Sequence, residues 1–440
     1  GHLPARRLQA MKASPAQPAA MTPSAHDKHG GDGFSSQRAL PSRVVKPGRD
    51  SMIGWILPIA FFLILRLVTS ALGFVVASGP DPEPLSSGPV FAAADSLLHT
   101  DRLSHLLVNV WERWDTGWYL KIAGFGYDAL DGTITYAPLY PFLTRCLGLL
   151  SGNYLFSALL VSSLASLAVF ILLFRVARVE GLTGGESAYA LIFLGFFPSA
   201  FFLFAAYTDL LFLALALGAW LAARRNKWIL AGLLGSLAAL TRLQGTLLTP
   251  VLGYLWLKQN ADFNLFHRDT WRRAWSALRM PSWLSTLLPA LAFSAWVLYL
   301  QASDLGSVPA TLATHWGIRT VPPWTGIWLF FERLFTHRLF FIDFVDLAVL
   351  TFVLILLLIG LRRLEPGLSL YAWLTLALFF MRGTPPHLLD SFNRYLLALF
   401  PIFLVLAKIR SRYLRLAIWV VSFGLQTLLF LGFLDWRWIA

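Results

Sequence analysis

The chain has 440 residues, 57% of them hydrophobic and only 13% charged, at a mean hydropathy of +0.63, which excludes a soluble domain because such a surface needs more charge. A net charge of +13 would suit nucleic acid, but the basic residues sit in short stretches beside apolar runs, a membrane-topology pattern, so no nucleic-acid partner is expected. The single cysteine, Cys146, rules out an intramolecular disulfide framework, and Cys/His zinc spacing is absent.

In chain order, residues 1–50 are rich in Ala, Pro, Ser and Gly without an apolar core or a small-residue cleavage site. They read as a disordered cytoplasmic tail rather than a cleaved signal peptide. Residues 51–440 read as one membrane domain. Apolar runs predict spans at 52–77, 153–174, 187–206, 208–223, 228–241, 243–257, 283–301, 342–361, 368–381, 393–408 and 413–433, about eleven in an all-α polytopic architecture, since helices satisfy their own backbone in lipid. With the tail inside, Arg175 and Arg178, Arg224 to Lys227, Arg268 to Arg279, Arg362 and Arg363, and Lys408 to Arg415 all fall in inner loops, as the positive-inside bias requires.

The opposite loops, 78–152 and 302–341, are long, aromatic and comparatively acidic. Within the first, Leu97, Leu98, Leu103, Leu106, Leu107, Val110 and Trp114 recur at helical spacing, predicting an amphipathic interfacial helix over 95–121. Asp115 lies in WERWDTGWYLK, flanked by Trp114 and Tyr119. A partly dehydrated carboxylate there suits a general base; a capping acid, or one paired with Arg113 or Lys121, accounts for it equally.

Further along, Asp209 follows Tyr207-Thr208 in FFPSAFFLFAAYTDLLF, residues 196–212. An acid at bilayer depth must face a polar cavity, unless Thr208 and Asp209 simply cap a helix. In ALTRLQGTLLTP, residues 239–250, Arg242, Gln244 and Gly245 interrupt two apolar runs. The guanidinium fork suits a phosphate and the glycine permits close approach; snorkelling of Arg242 to the interface is the alternative. His315 in THWG, and Arg382, His387, Asp390 and Arg394 in RGTPPHLLDSFNR, form further outer-loop polar groups suited to a lipid phosphate or to interface anchoring.

WDTGWYLKIAGFGY, YAPLYP at 136–141, FPSAFFLFAAYTDLLF and TRLQG together resemble the PIG-V type of GPI mannosyltransferase family, specifically over 111–250, with NRYLLALFP at 393–401 in support. The resemblance implies a GT-C-like glycosyltransferase that takes a sugar from a polyprenyl-phosphate donor on the extracytoplasmic side. It places the family's Trp-Asp acid at Asp115 and site-lining roles at Asp209, Arg242 and Gln244. The family usually has Glu at the position of Asp209 and Asn at that of Gln244, each a change of one methylene in reach.

Polyprenyl phosphate leaves without protonation, so one base and phosphate-holding cations suffice. Asp115 is the expected base; Arg242 and Arg394 are expected at the phosphate, with Gln244, Asp209, His387, His315, Trp114 and Tyr119 lining the substrate. Direct displacement inverts the anomeric carbon. The Asp81-Pro-Glu83 pair is a weak metal candidate beside a solvated-loop reading, and no Asp-x-Asp occurs in the outer loops, so no cofactor and no metal are expected. The implied partners are membrane lipids, a polyprenyl-phosphate-mannose donor and a glycolipid or lipid-linked acceptor. The expected place is a bacterial cytoplasmic membrane with the site facing outside, or an ER membrane with the site facing the lumen. A lipid or glycan transporter is the competing class; it would show related halves and broken paired spans. A noncatalytic assembly subunit is the third.

Overall fold

A computed structural model describes residues 49–79, 88–264, 267–336, 339–382, 389 and 392–437. The tail to residue 48, the Asp81/Glu83 pair, His387 and Asp390 lie outside the described residues. Those described form helices and loops, with an isolated bridge pairing Thr320 and Arg382. In order these are α1 (Arg49–Ala77), α2 (Pro89–Asp95), α3 (Arg102–Leu107), α4 (Asp115–Phe125), α5 (Leu139–Ser151), α6 (Tyr154–Val179), α7 (Gly184–Gly195), α8 (Asp209–Arg224), α9 (Trp228–Ala239) and α10 (Leu248–Ala261). Then come α11 (Arg268–Ala277), α12 (Leu288–Ala302), α13 (Val308–Trp316), α14 (Pro323–Thr336), α15 (Phe341–Arg363), α16 (Pro366–Phe380), α17 (Phe392–Tyr395), α18 (Pro401–Ala407) and α19 (Arg412–Leu434).

Among the described residues, five segments are helical, long and apolar enough to cross a bilayer: Gly54–Ala77, Tyr154–Val179, Pro281–Ala302, Phe341–Arg363 and Arg412–Leu434. Trp228–Ala239 and Pro366–Phe380 are apolar but shorter. The protein is an all-α integral membrane protein, and several of the remaining apolar runs are broken rather than continuous.

The clearest break is in the run 187–206. Helix α7 starts at a capping box, where Thr183 accepts from the Glu186 amide and Glu186 from the Thr183 amide, but it stops at Gly195. Pro198 has no amide to continue the ladder and disfavours helical geometry in the residue before it. Phe196–Thr208 is therefore non-helical apart from a 3-10 turn at Ala200–Leu203, yet nearly all of it is buried. Non-helical backbone at membrane depth must find partners inside the protein. Gln426 donates to the Gly195 carbonyl at 3.1 Å, Arg66 to Phe204 at 2.7 Å, Thr116 to Ala206 at 3.3 Å and Ser162 to Tyr207 at 3.2 Å. Four helices, α19, α1, α4 and α6, thus hold the segment in place by side chains.

A second break corrects the expected span 393–408. Pro401 opens α18, and the chain before it runs as α17 and a 3-10 turn. The core between the breaks is aromatic: Phe201 stacks on Phe430 at 5.6 Å, and Trp111 on Phe430 at 5.9 Å. Helices α6 and α8 pack against each other, and both bury small residues, Ser157, Ser162 and Ser166 on α6 and Ala216, Ala219 and Ala223 on α8, of the kind that permits close packing of membrane helices.

The amphipathic helix expected over 95–121 is not formed. The stretch divides into the end of α2, α3, a 3-10 turn at Asn109–Trp111 and α4, and α4 is buried on most sides through Thr116, Tyr119, Leu120, Ile122 and Ala123. An exposed aromatic face of the interfacial kind occurs instead on α14, where Trp324, Ile327, Trp328, Phe331 and Phe335 are exposed at helical spacing. The residues of that apolar period divide between burial (Val110, Trp111), half-burial (Leu97, Leu98, Leu106, Trp114) and exposure (Leu103, Leu107), so no single apolar face runs through the stretch.

Candidate functional site

The two breaks and the start of α4 meet at one end of the helix bundle. Trp114 precedes α4 with φ 52°, a region that costs a bulky residue about 1–3 kcal/mol. This turn sets Asp115 as the first helical residue, where the positive end of the helix favours a carboxylate. Its neighbours in sequence do not pair with it. Arg113 donates to the carbonyls of Leu434 at 3.1 Å and Glu112 at 2.8 Å, and Lys121 pairs with Asp131. The Asp115 carboxylate instead accepts from Arg394 Nη1 at 2.6 Å, a residue 279 positions away, and from the Tyr136 hydroxyl at 3.3 Å.

Arg394 continues the chain of charge. Its Nε lies 3.6 Å from Asp209 Oδ2, and Asp209 Oδ1 in turn pairs with Arg242 Nη1 at 2.6 Å. Asp209 is the first residue of α8, with its side chain 5% exposed. Thr208 makes no side-chain cap to that helix; its hydroxyl accepts from Arg242 at 3.2 Å and bonds the Tyr119 hydroxyl at 3.2 Å. Four charges therefore alternate, Asp115, Arg394, Asp209 and Arg242, an arrangement in which each buried charge has an opposite neighbour, as burial demands.

Arg242 is placed by Gly245. A Cβ at Gly245 would lie 2.2 Å from the Ala239 amide nitrogen and 2.3 Å from the Ala238 carbonyl carbon, so the glycine permits approach of the backbone ending α9 rather than of a phosphate. Gly245→Ala is expected to cost about 1–3 kcal/mol, the range for overpacking, read as a lowered thermal midpoint in detergent, and to weaken the site by moving Arg242.

These groups open on a cavity of about 340 Å³, lined in part by Asp115, Tyr119, Tyr136, Arg242, Arg382 and Arg394. Gln244 also reaches it, and much of the remaining lining is apolar, with Phe293, Trp296, Leu312, Ile318, Leu378 and Phe379. Trp316 lines the mouth, 6.2 Å from Tyr136 and 5.3 Å from Trp118 between ring centroids. An amphipathic cavity of this size suits a ligand with a charged head and an apolar tail.

Asp115, Tyr119, Arg242, Gln244 and Arg394 thus share one cavity, with Asp209 directly behind it. Two other expected residues stand elsewhere. Trp114 packs on Trp436, 5.7 Å between centroids, and is not among the residues lining the cavity; the positive-φ turn separates its direction from that of Asp115. His315 is exposed and lies over Gly132, and the next residue, Trp316, takes the place at the mouth. Tyr136, Thr208 and Tyr395 join the cavity without having been expected; the YAPLYP and NRYLLALFP stretches carried two of them, but only the fold shows which aromatic rings turn inward.

One acid beside the site was also missed. Glu112 is 6% exposed, and no described protein group hydrogen-bonds its Oε1. Burial pushes its carboxyl up to about 7 from 4.5; nearby Arg113 opposes the rise and Asp95 adds to it. Between those two values the folded protein holds the proton that the unfolded chain releases, so stability falls as pH rises and the loss is complete above about 7. At 1.36 kcal/mol per pH unit that loss is about 3 kcal/mol. Glu112→Gln is expected to match wild type in thermal midpoint at pH 5 and to exceed it at pH 8, flattening the pH profile.

Among the described residues no group of three or more His, Cys, Asp or Glu stands close enough to share a metal ion. Two solved structures are similar in shape: ArnT from Cupriavidus metallidurans bound to undecaprenyl phosphate (16% identity, TM-score 0.46, covering 85% of this chain) and the same protein in the apo state (18% identity, TM-score 0.45, covering 87%). This chain spans 64% of the length of each. No curated protein sequence matches significantly. The family model for "Mannosyltransferase (PIG-V)" matches residues 58–322, a stretch that includes Asp115, Asp209 and Arg242. The chain belongs to the PIG-V family of mannosyltransferases, membrane-embedded glycosyltransferases.

Proposed function

We propose that the protein transfers mannose from a polyprenyl-phosphate carrier to a hydroxyl of a lipid-linked or glycolipid acceptor, with inversion at the anomeric carbon. The observation that carries this reading is the alternating chain Asp115, Arg394, Asp209, Arg242 beside a cavity lined both by charged groups and by apolar side chains. A prenyl chain suits the apolar side chains and a phosphate the arginines. Asp115 takes the acceptor hydroxyl proton, the acceptor oxygen bonds the anomeric carbon, and the bond from that carbon to the phosphate oxygen breaks with its electron pair on the phosphate. Tyr136 and Arg394 hold the Asp115 carboxylate in orientation, and Trp316 and Tyr136 offer aromatic faces to the sugar.

The positive-inside distribution supports a site end facing away from the cytoplasm, in about eleven crossings of which the shorter and broken runs supply the remainder. A bacterial cytoplasmic membrane is the proposed location. The test is transfer of radiolabelled mannose by purified protein to a membrane lipid extract, from polyprenyl-phosphate-mannose and, in parallel, from a nucleotide-mannose. Product from the lipid donor alone is the expected result; product from the nucleotide donor alone would sink the donor assignment, and product from neither would shift weight to a transporter.

A further inference from the structure

Arg394 stands between two acids, and its two ties are unequal: 2.6 Å to Asp115 and 3.6 Å to Asp209. Arg242 is held by Asp209 at 2.6 Å, so Asp209 serves chiefly Arg242 and Asp115 serves chiefly Arg394. We infer that Arg394 exchanges partners during the reaction, neutralising Asp115 while that group is ionised and passing to the departing phosphate when Asp115 takes the acceptor proton. This inference rests on the transfer reading above.

Charge balance leads to it. Arg242 and Arg394 face the cavity and are paired with the carboxylates of Asp209 and Asp115. A polyprenyl-phosphate-sugar is a phosphodiester with one negative charge. Transfer moves one proton from the acceptor hydroxyl to Asp115, which becomes neutral, and leaves a phosphate monoester that carries two negative charges when fully ionised. The negative charge lost at Asp115 thus reappears on the phosphate, and the total charge of the loaded cavity is unchanged.

In a poorly solvated site this matters, because an uncompensated charge is expensive there. The arginine that loses its counter-charge in that step is Arg394, the one in contact with the base. Its side chain is 8% exposed, so solvent is a poor substitute partner and the new dianion is a good one.

Geometry keeps the exchange short. The Tyr395 ring is a common platform for three guanidinium groups, with Arg242 at 4.9 Å, Arg382 at 5.4 Å and Arg394 at 5.4 Å from its centroid. Tyr207 lies 5.0 Å from Arg394. Cation–ring contacts of this kind hold a guanidinium without occupying its hydrogen-bond donors, leaving those donors to turn from carboxylate to phosphate.

The experiment is direct binding of undecaprenyl phosphate, without any sugar donor, to the full-length protein in nanodiscs at pH 8. Asp115→Asn stands for the protonated base and is expected to bind about tenfold more tightly than wild type, a factor that corresponds to 1.4 kcal/mol. Adding Arg394→Gln to Asp115→Asn is expected to abolish the gain, whereas adding Arg242→Gln is expected to preserve it relative to Arg242→Gln alone. A gain that survives Arg394→Gln would mean plain removal of a negative charge and would overturn the exchange. Should Arg394→Gln fail to fold, Asp115→Asn against wild type still decides, because an unchanged or weaker affinity overturns the inference. Absence of binding by every variant, wild type included, would overturn the polyprenyl-phosphate reading itself and the inference with it.

Discussion

Asp115→Asn is expected to lower mannose transfer by about 10²–10⁴-fold, the usual contribution of a positioned general base, while the protein still folds. Asparagine keeps the size of the side chain and one oxygen that accepts from Arg394 and Tyr136, the two groups that hold Asp115. What it removes is the capacity to take a proton. The loss should therefore fall on kcat, with KM for the donor not raised, because the substitution leaves in place the groups proposed to bind the donor's phosphate and prenyl chain. Initial rates with radiolabelled polyprenyl-phosphate-mannose, at several donor concentrations, check both parts. Full turnover by the variant would remove Asp115 as the base and leave it as a counter-ion to Arg394.

Arg394→Gln is expected to destabilise the fold by about 3–5 kcal/mol, the cost of removing one partner from a buried ion pair. Arg394 bridges Asp115 and Asp209, which belong to α4 and α8, so its loss leaves the two carboxylates facing each other, with Arg242 paired to Asp209 alone. The strain is relieved by protonation, so the variant should recover part of its thermal midpoint as pH is lowered. Thermal unfolding in detergent from pH 8 to pH 5 reads the effect. A midpoint equal to that of wild type across this range would mean that water, not Arg394, compensates the two acids.

The charged residues of the candidate site were legible in the sequence because they are polar in a chain that is otherwise apolar. Asp115, Asp209, Arg242 and Arg394 each interrupt or adjoin an apolar run, and a polar group in that setting needs a partner or a task. Their convergence was not legible, since Asp115 and Arg394 are 279 positions apart and local spacing offered Arg113 and Lys121 as nearer candidates. Helical period likewise did not distinguish one helix lying in the interface from several short helices and turns over 95–121, while α14 carries an exposed aromatic face.

The breaks are an intermediate case. Pro198 and Pro401 were visible as helix breakers, but apolar length argued for continuous spans at 187–206 and 393–408. Long-range bonding decided the first in favour of a break, because Arg66, Thr116, Ser162 and Gln426 supply the hydrogen bonds that the non-helical backbone of 195–207 needs. Gly245 is similar: its smallness was plain, while its reason, the backbone of Ala238 and Ala239 within 2.4 Å of any added Cβ, belongs to the turn between α9 and α10.

By itself the sequence determined that this is an all-α membrane protein of the PIG-V family with polar side chains at the ends of its apolar runs, because hydropathy and motif order are local properties of the chain. The tertiary structure alone decided which of those side chains meet, that Asp115 is held by Arg394 rather than by a neighbour, and that Trp114 and His315 turn away from the cavity while Tyr136 and Trp316 turn in. The physical reason is that desolvated charges must be matched in space, and the matching partners here come from segments that only packing brings together.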